Sequence, residues 1–149
     1  MRSITHRVIV FTAAATLAGV SLANAQVVDP VEFTTAFPFT VGNSKLPAGR
    51  YEIRRDEDDS SLYRIEGRDR KVGTFFEVEP ASLTKPPAKT EVLFKRYDQG
   101  YVLKSVWEEG DRDGFQTVVA EAERHHVKAG GAVSEERVPA HRHGKAGTE

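Results

Sequence analysis

A mainly β fold, a small antiparallel sandwich or barrel of about six strands, is the class this sequence predicts. Three observations carry the prediction. Apolar and polar residues alternate from Val31 through Trp107, turns bearing glycine or proline punctuate that alternation, and helical spacing is absent until after Asp113. Alternation with period two marks a strand with one buried face, because successive side chains point to opposite sides of a sheet. Several such strands at short spacing close into sandwiches or barrels.

The first strand places Val31, Phe33, Phe37, Phe39 and Val41 on one face, with Glu32, Thr34 and Thr40 between them. Pro38 interrupts it and has no N–H for a ladder, which predicts a sheet edge or a bulge. Gly42-Asn43-Ser44 breaks the pattern, and Leu46-Pro47-Ala48-Gly49 reads as a tight turn: Pro47 presets its φ and Gly49 is free to take a positive one. Tyr51 and Ile53 continue as the second strand, with Glu52 and Arg54 facing out. Asp56 to Ser61 is a polar loop, Leu62 to Glu66 a short third strand, and Gly67-Arg68-Asp69-Arg70 the next turn.

Val72, Thr74, Phe76 and Val78 mark the fourth strand, with Phe75 on its other face. Pro80 to Lys89 contains Pro80, Pro86 and Pro87 and reads as a loop or a crossover. Val92 and Phe94 belong to the fifth strand, with Leu93 opposite. Asp98-Gln99-Gly100 is a three-residue hairpin loop with glycine where a left-handed residue is wanted. Tyr101, Leu103 and Trp107 form the sixth strand, with Lys104 and Glu108 outward.

Beyond Asp113 the spacing changes. Phe115, Val118, Val119 and Ala122 recur at i, i+3, i+4 and i+7, and Asp113 with Gln116 forms a capping-box pattern. This predicts a C-terminal helix from about Gly114 to Lys128, favoured over a strand across Phe115 to Val119. After Gly130-Gly131 the chain is polar and short of large apolar groups, so the tail over 130–149 is expected to be disordered. The organisation is therefore a leader over 1–25, a β domain with its helix over 26–129, and a tail over 130–149.

The leader is read from three parts: Arg2 and Arg7, an apolar run from Val8 to Leu22, and Ala23-Asn24-Ala25. A basic start, an apolar middle and an Ala-x-Ala end make a secretory signal peptide, with cleavage expected after Ala25. The run is too short to serve as a membrane helix, which needs roughly 20 apolar residues. The expected location is periplasmic or secreted, with no transmembrane segment in the mature chain. Losing Arg2 and Arg7 takes the formal charge from −1 to about −3. That mild acidic excess argues against nucleic acid as a partner. Cysteine is absent, which rules out disulfides and attachment of a lipid through a cysteine. An apolar core must supply the stability.

Two segments look familiar. Phe39-Thr40-Val41-Gly42-Asn43-Ser44-Lys45-Leu46-Pro47-Ala48-Gly49-Arg50-Tyr51 is the first, and Phe94-Lys95-Arg96-Tyr97-Asp98-Gln99-Gly100-Tyr101-Val102-Leu103-Lys104-Ser105-Val106-Trp107 is the second. As a pair they resemble a group of short exported bacterial proteins frequent in acidobacteria, over about residues 31–124. The resemblance implies a bacterial, exported, β-rich domain and brings no catalytic residue with it. The histidine-bearing tail after Gly130 departs from that group's shorter ends.

Four sets of residues were weighed as sites. His125-His126 and His141-Arg142-His143 hold every histidine of the mature chain. Imidazoles suit metals, but neighbouring helical histidines point about 100° apart and a loose tail costs entropy to order. The acidic loop Asp56-Glu57-Asp58-Asp59 suits calcium in charge but lacks a ligand-loop spacing. Ser44, Ser60, Ser61, Ser82 and Ser105 sit in no nucleophile motif. Tyr51, Phe75, Tyr97, Tyr101 and Trp107 offer a stacking platform, or else fill the core. The sequence therefore nominates no catalytic residue, no cofactor and no metal ligand. It points to a non-enzymatic exported domain with a binding or structural role in the cell envelope, its partner a protein, a glycan or a small apolar ligand. A small hydrolase and a metal-handling protein using the C-terminal histidines are the alternatives.

Overall fold

A computed structural model describes residues 29–119, 123, 124, 128 and 134–143. The leader with its cleavage site and the His125-His126 pair lie outside the described residues. Among the described residues ten strands run in chain order: β1 (Val31–Thr35), β2 (Phe39–Val41), β3 (Ser44–Leu46), β4 (Gly49–Arg55), β5 (Leu62–Gly67), β6 (Gly73–Ser82), β7 (Glu91–Tyr97), β8 (Gly100–Trp107), β9 (Asp113–Thr117) and β10 (Ser134–Arg142).

Eight of them close into a barrel in the order β8-β7-β10-β1-β4-β5-β6-β9, with β9 pairing back onto β8. Closure removes the free edges that an open sheet would expose. One edge of β8 is shared. β9 pairs with Ser105 and Val106, while β2 runs parallel to β8 at Tyr101 and Val102 and carries β3 on its far side. The expected fold class is thus met as a barrel, with ten strands where about six were expected.

The additional strands have physical explanations. Pro38 splits the first predicted strand in two, because the chain leaves the barrel wall after Thr35 and rejoins it beside β8. Ser44–Leu46, read as a break and a turn, is long enough to pair with β2 across Gly42, which takes φ 56°. β6 runs on through Pro80 to Ser82, so the Pro80–Lys89 loop starts later than expected. Pro80 is tolerated there because β5 has already ended opposite Glu77, leaving β9 as its one neighbour.

The predicted helix is not what forms at its start. Asp113–Thr117 is a strand bridging β6 and β8, and the rest of the predicted helix lies largely outside the described residues. Barrel closure overrides local spacing here. Phe115 packs its ring 4.3 Å from Tyr63 and 6.5 Å from Phe76, centroid to centroid. A Cβ on Gly114 would come within 2.6 Å of both Trp107 Cε3 and the Val106 carbonyl oxygen, so only glycine lets β9 lie this close to β8.

The expectation of a disordered tail is also corrected. Ser134–Arg142 forms β10, antiparallel to both β7 and β1. Only Val138 and Ala140 are buried in it. Its charged residues make ion pairs along the outer wall, Arg137 to Glu91 of β7 at 2.5 Å, Glu135 to Lys104 of β8, and Arg142 to Glu108 just past β8 at 3.0 Å. Pro139 sits where pairing passes from β7, ending at Glu91, to β1, starting at Ala140, so its missing N–H breaks neither ladder.

The barrel is filled. Phe33, Phe39, Tyr51 and Phe94 meet in one aromatic cluster with centroids 5.1–6.1 Å apart. Ile53, Ile65, Phe76, Val92, Leu103 and Val106 continue the core. The inward alternation does not hold through Trp107. The register shift at Leu93/Phe94, where β8 carries Lys104 as an extra residue, turns Val106 into the core cluster and leaves Ser105 and Trp107 buried outside it.

Candidate functional site

Aromatic rings plug the end of the barrel near the β7–β8 hairpin. Phe37 stacks on Tyr101 with centroids 3.8 Å apart and meets Phe94 edge-on at 5.3 Å. Among the described residues the opposite end is left open. There β4 and β5 are joined by the acidic loop, β1 begins and β8 ends, and together with β6 and β9 they surround a cavity of about 410 Å³. Its floor is apolar: Val31, Ile53, Tyr63, Val78 and Phe115 continue the inward rows of their strands. Its rim is polar, with Asp29, Arg55, Ser60, Ser61, Glu108 and Asp113.

The rim charges differ in freedom. Glu108 is held by Arg142 at 3.0 Å, and Asp113 Oδ1 accepts the Ser82 hydroxyl at 2.6 Å. Arg55 makes no ion pair among the described residues. Burial pushes the Tyr63 phenol above its ordinary value; Arg55 opposes the rise and Glu108 adds to it. A phenol raised in the fold contributes stability that is complete below its unfolded value of 10.0 and is lost as pH rises through the folded value. Urea unfolding measured on both sides of pH 10 is accordingly expected to show a smaller alkaline loss in Tyr63→Phe than in the wild type.

The residues nominated from sequence do not converge here. The carboxylates of the acidic loop serve their own turn: Asp56 Oδ1 accepts the N–H groups of Asp58 and Asp59 at 3.0 and 3.1 Å, and Asp59 Oδ1 accepts from the Ser61 N–H and hydroxyl. Those bonds hold the Asp59 carboxyl below its ordinary value. His141 and His143 lie at the end of β10 on the outer wall, with His143 Nδ1 2.9 Å from Glu32 Oε1. Among the described residues no group of three or more His, Cys, Asp or Glu is placed to hold a metal ion. Ser60 and Ser61 reach the pocket, and no histidine among the described residues lines it. Ser44 bonds Thr74, and Ser105 Oγ is buried with no hydrogen-bond partner.

The five aromatics do not form a platform. Tyr51 is in the core with its hydroxyl donating to the Pro47 carbonyl at 2.5 Å. Tyr97 is buried and donates to Glu123 Oε1 at 2.8 Å, where Lys95 also reaches at 2.9 Å. Burial and that contact drive its phenol strongly upward. Phe75 is 52% exposed beneath the Arg64 guanidinium. Tyr63 and Phe115, the aromatic pair that does line the pocket, were not singled out. Tyr63 was one letter in a short strand, and Phe115 was assigned to a helix.

Among the described residues no helix is long and apolar enough to cross a membrane. No protein-family model, curated protein or solved structure matches the chain.

Proposed function

We propose that this chain is an exported, non-enzymatic β-barrel domain of the bacterial cell envelope that binds a small, largely apolar molecule in the open barrel end. One observation carries the reading. The barrel is packed solid along its length yet keeps a cavity of about 410 Å³ with an apolar floor at one end. Barrel mouths are recurrent ligand sites, and small-molecule pockets span about 300–1,000 Å³ with apolar walls and a few polar groups at the rim. Tyr63 and Phe115, with centroids 4.3 Å apart, offer ring faces to a flat or aliphatic body. Export rests on the basic, apolar and Ala-x-Ala parts of the leader. A hydrolase is the weaker reading, since among the described residues the pocket brings serine hydroxyls together with no histidine base.

The test is titration of the mature protein with anilinonaphthalene sulfonate, following dye emission and the emission of Trp107, the single tryptophan, which packs against pocket residue Gly114. Saturable binding at one site is expected. Ser61→Phe, which fills the mouth from an exposed loop, is expected to abolish it with circular dichroism unchanged. Equal binding by that variant, or no saturable binding by the wild type, would contradict the proposal.

A further inference from the structure

The outer face of β4 and β5 carries a second cavity, of about 300 Å³, lined by the residues that alternate with those of the barrel mouth. Outward-facing positions of both strands supply a lattice of arginine and glutamate. Each glutamate there is already held. Glu32 accepts Arg50 at 2.9 Å, Glu52 accepts Arg54, and Glu66 accepts Arg64. Burial raises the Glu32 carboxyl, but the Arg50 bond and the charges of Arg50 and His143 outweigh it and hold it below its ordinary value. The same cavity is lined by Arg68 and Arg70. Neither guanidinium makes a hydrogen bond or ion pair among the described residues, and with five arginines to three glutamates the lining is net positive.

Both residues belong to the β5–β6 turn, which the backbone pins. Arg68 N–H donates to the Arg50 carbonyl at 2.9 Å, Arg70 N–H to Gly67 at 2.8 Å, and Gly67 N–H to Val72 at 2.8 Å. Asp69, between the two arginines, turns back to accept the Lys71 N–H at 3.2 Å. Arg70 has φ 56°, and among the described residues it is the one non-glycine in left-handed backbone. A hairpin turn of this kind ordinarily puts glycine there. A residue with a Cβ costs roughly 1–2 kcal/mol in that conformation. The fold thus bears strain at a position whose side chain returns no hydrogen bond or ion pair among the described residues. Such strain is a pointer to function.

We infer that Arg68 and Arg70, over the Arg50 end of this cavity, bind a tetrahedral oxyanion of the phosphate or sulfate class. Guanidinium forks match such oxygens two at a time, and arginine is the preferred residue for that recognition. The three arginine–glutamate pairs line the same cavity and leave Arg68 and Arg70 as its unpaired guanidiniums among the described residues. A free phosphate and a phospholipid headgroup present the same chemistry.

The experiment is calorimetric titration of the mature protein with inorganic phosphate at low ionic strength, beside Arg70→Gly and Arg68→Ala. Glycine keeps the positive φ and removes the guanidinium. Arg70→Gly is expected to weaken phosphate binding about tenfold or more while raising the melting temperature. Arg68→Ala weakens binding similarly from an unstrained position. Co-sedimentation with phosphatidylglycerol vesicles, against phosphatidylcholine vesicles, separates the sources: uptake by the former assigns a headgroup, and phosphate binding without vesicle uptake assigns a soluble anion. No saturable phosphate binding by the wild type, or unchanged affinity in both variants, overturns the inference.

Discussion

Removal of residues 134–149 is expected to abolish the cooperative fold. β10 lies between β7 and β1, so its loss does not trim an edge but opens the barrel at its middle. The backbone N–H and C=O groups of Glu91–Arg96 and Val31–Phe33 lose their partners on that side and become two open edges. Phe33 and Phe94, which share the core cluster with Val138 and Ala140, become wetted. Each large side chain so exposed costs about 1.5–3 kcal/mol, a large share of the 5–15 kcal/mol that typically separates folded from unfolded chains. Near-ultraviolet circular dichroism of a chain ending at residue 133 should show no sigmoidal melt. A transition at the wild-type temperature would mean that β10 contributes nothing.

Phe94→Ala should be the most costly single truncation in the core. Phe94 is fully buried, and its ring meets Phe33, Phe37 and Phe39 with centroids 5.1–6.0 Å apart. Emptying such a site costs about 3–5 kcal/mol from lost transfer energy and the cavity left behind. At roughly 4–8 °C per kcal/mol for a domain of this size, the melting temperature falls by more than 10 °C. Phe75→Ala is the control. Half-exposed outside the barrel, it should change stability by less than about 0.5 kcal/mol. Equal losses in the two variants would contradict the assignment of inward and outward faces.

Much of the barrel was legible because period-two patterning is local. Phe33, Tyr51, Ile53, Ile65, Phe76, Val92, Phe94 and Leu103 all follow their strand's alternation and all reach the core. What failed depends on distant partners. Phe115, Val118, Val119 and Ala122 satisfy helical spacing, and nothing within that segment reveals that β8 and β6 need a strand between them. β10 was missed for a related reason. Its inward residues are Val138 and a small Ala140, it contains Pro139, and its outward residues are charged, so composition alone resembles solvated chain. The pocket was not legible either, since Val31, Ile53, Tyr63, Val78 and Phe115 come from five strands and share no motif. Gly67-Arg68-Asp69-Arg70 was readable as a turn. That the left-handed place in it falls on an arginine emerges only from the backbone.

The C-terminal strand closes a filled barrel that keeps a cavity at one end. Residue-resolved amide hydrogen exchange on the mature protein tests it most directly. The Val138 and Ala140 amides, the latter donating to the Thr90 carbonyl at 2.9 Å, should be protected to the same degree as those of Val92 and Phe94. Exchange of 134–143 at unstructured rates, with 31–117 still protected, would contradict the claim.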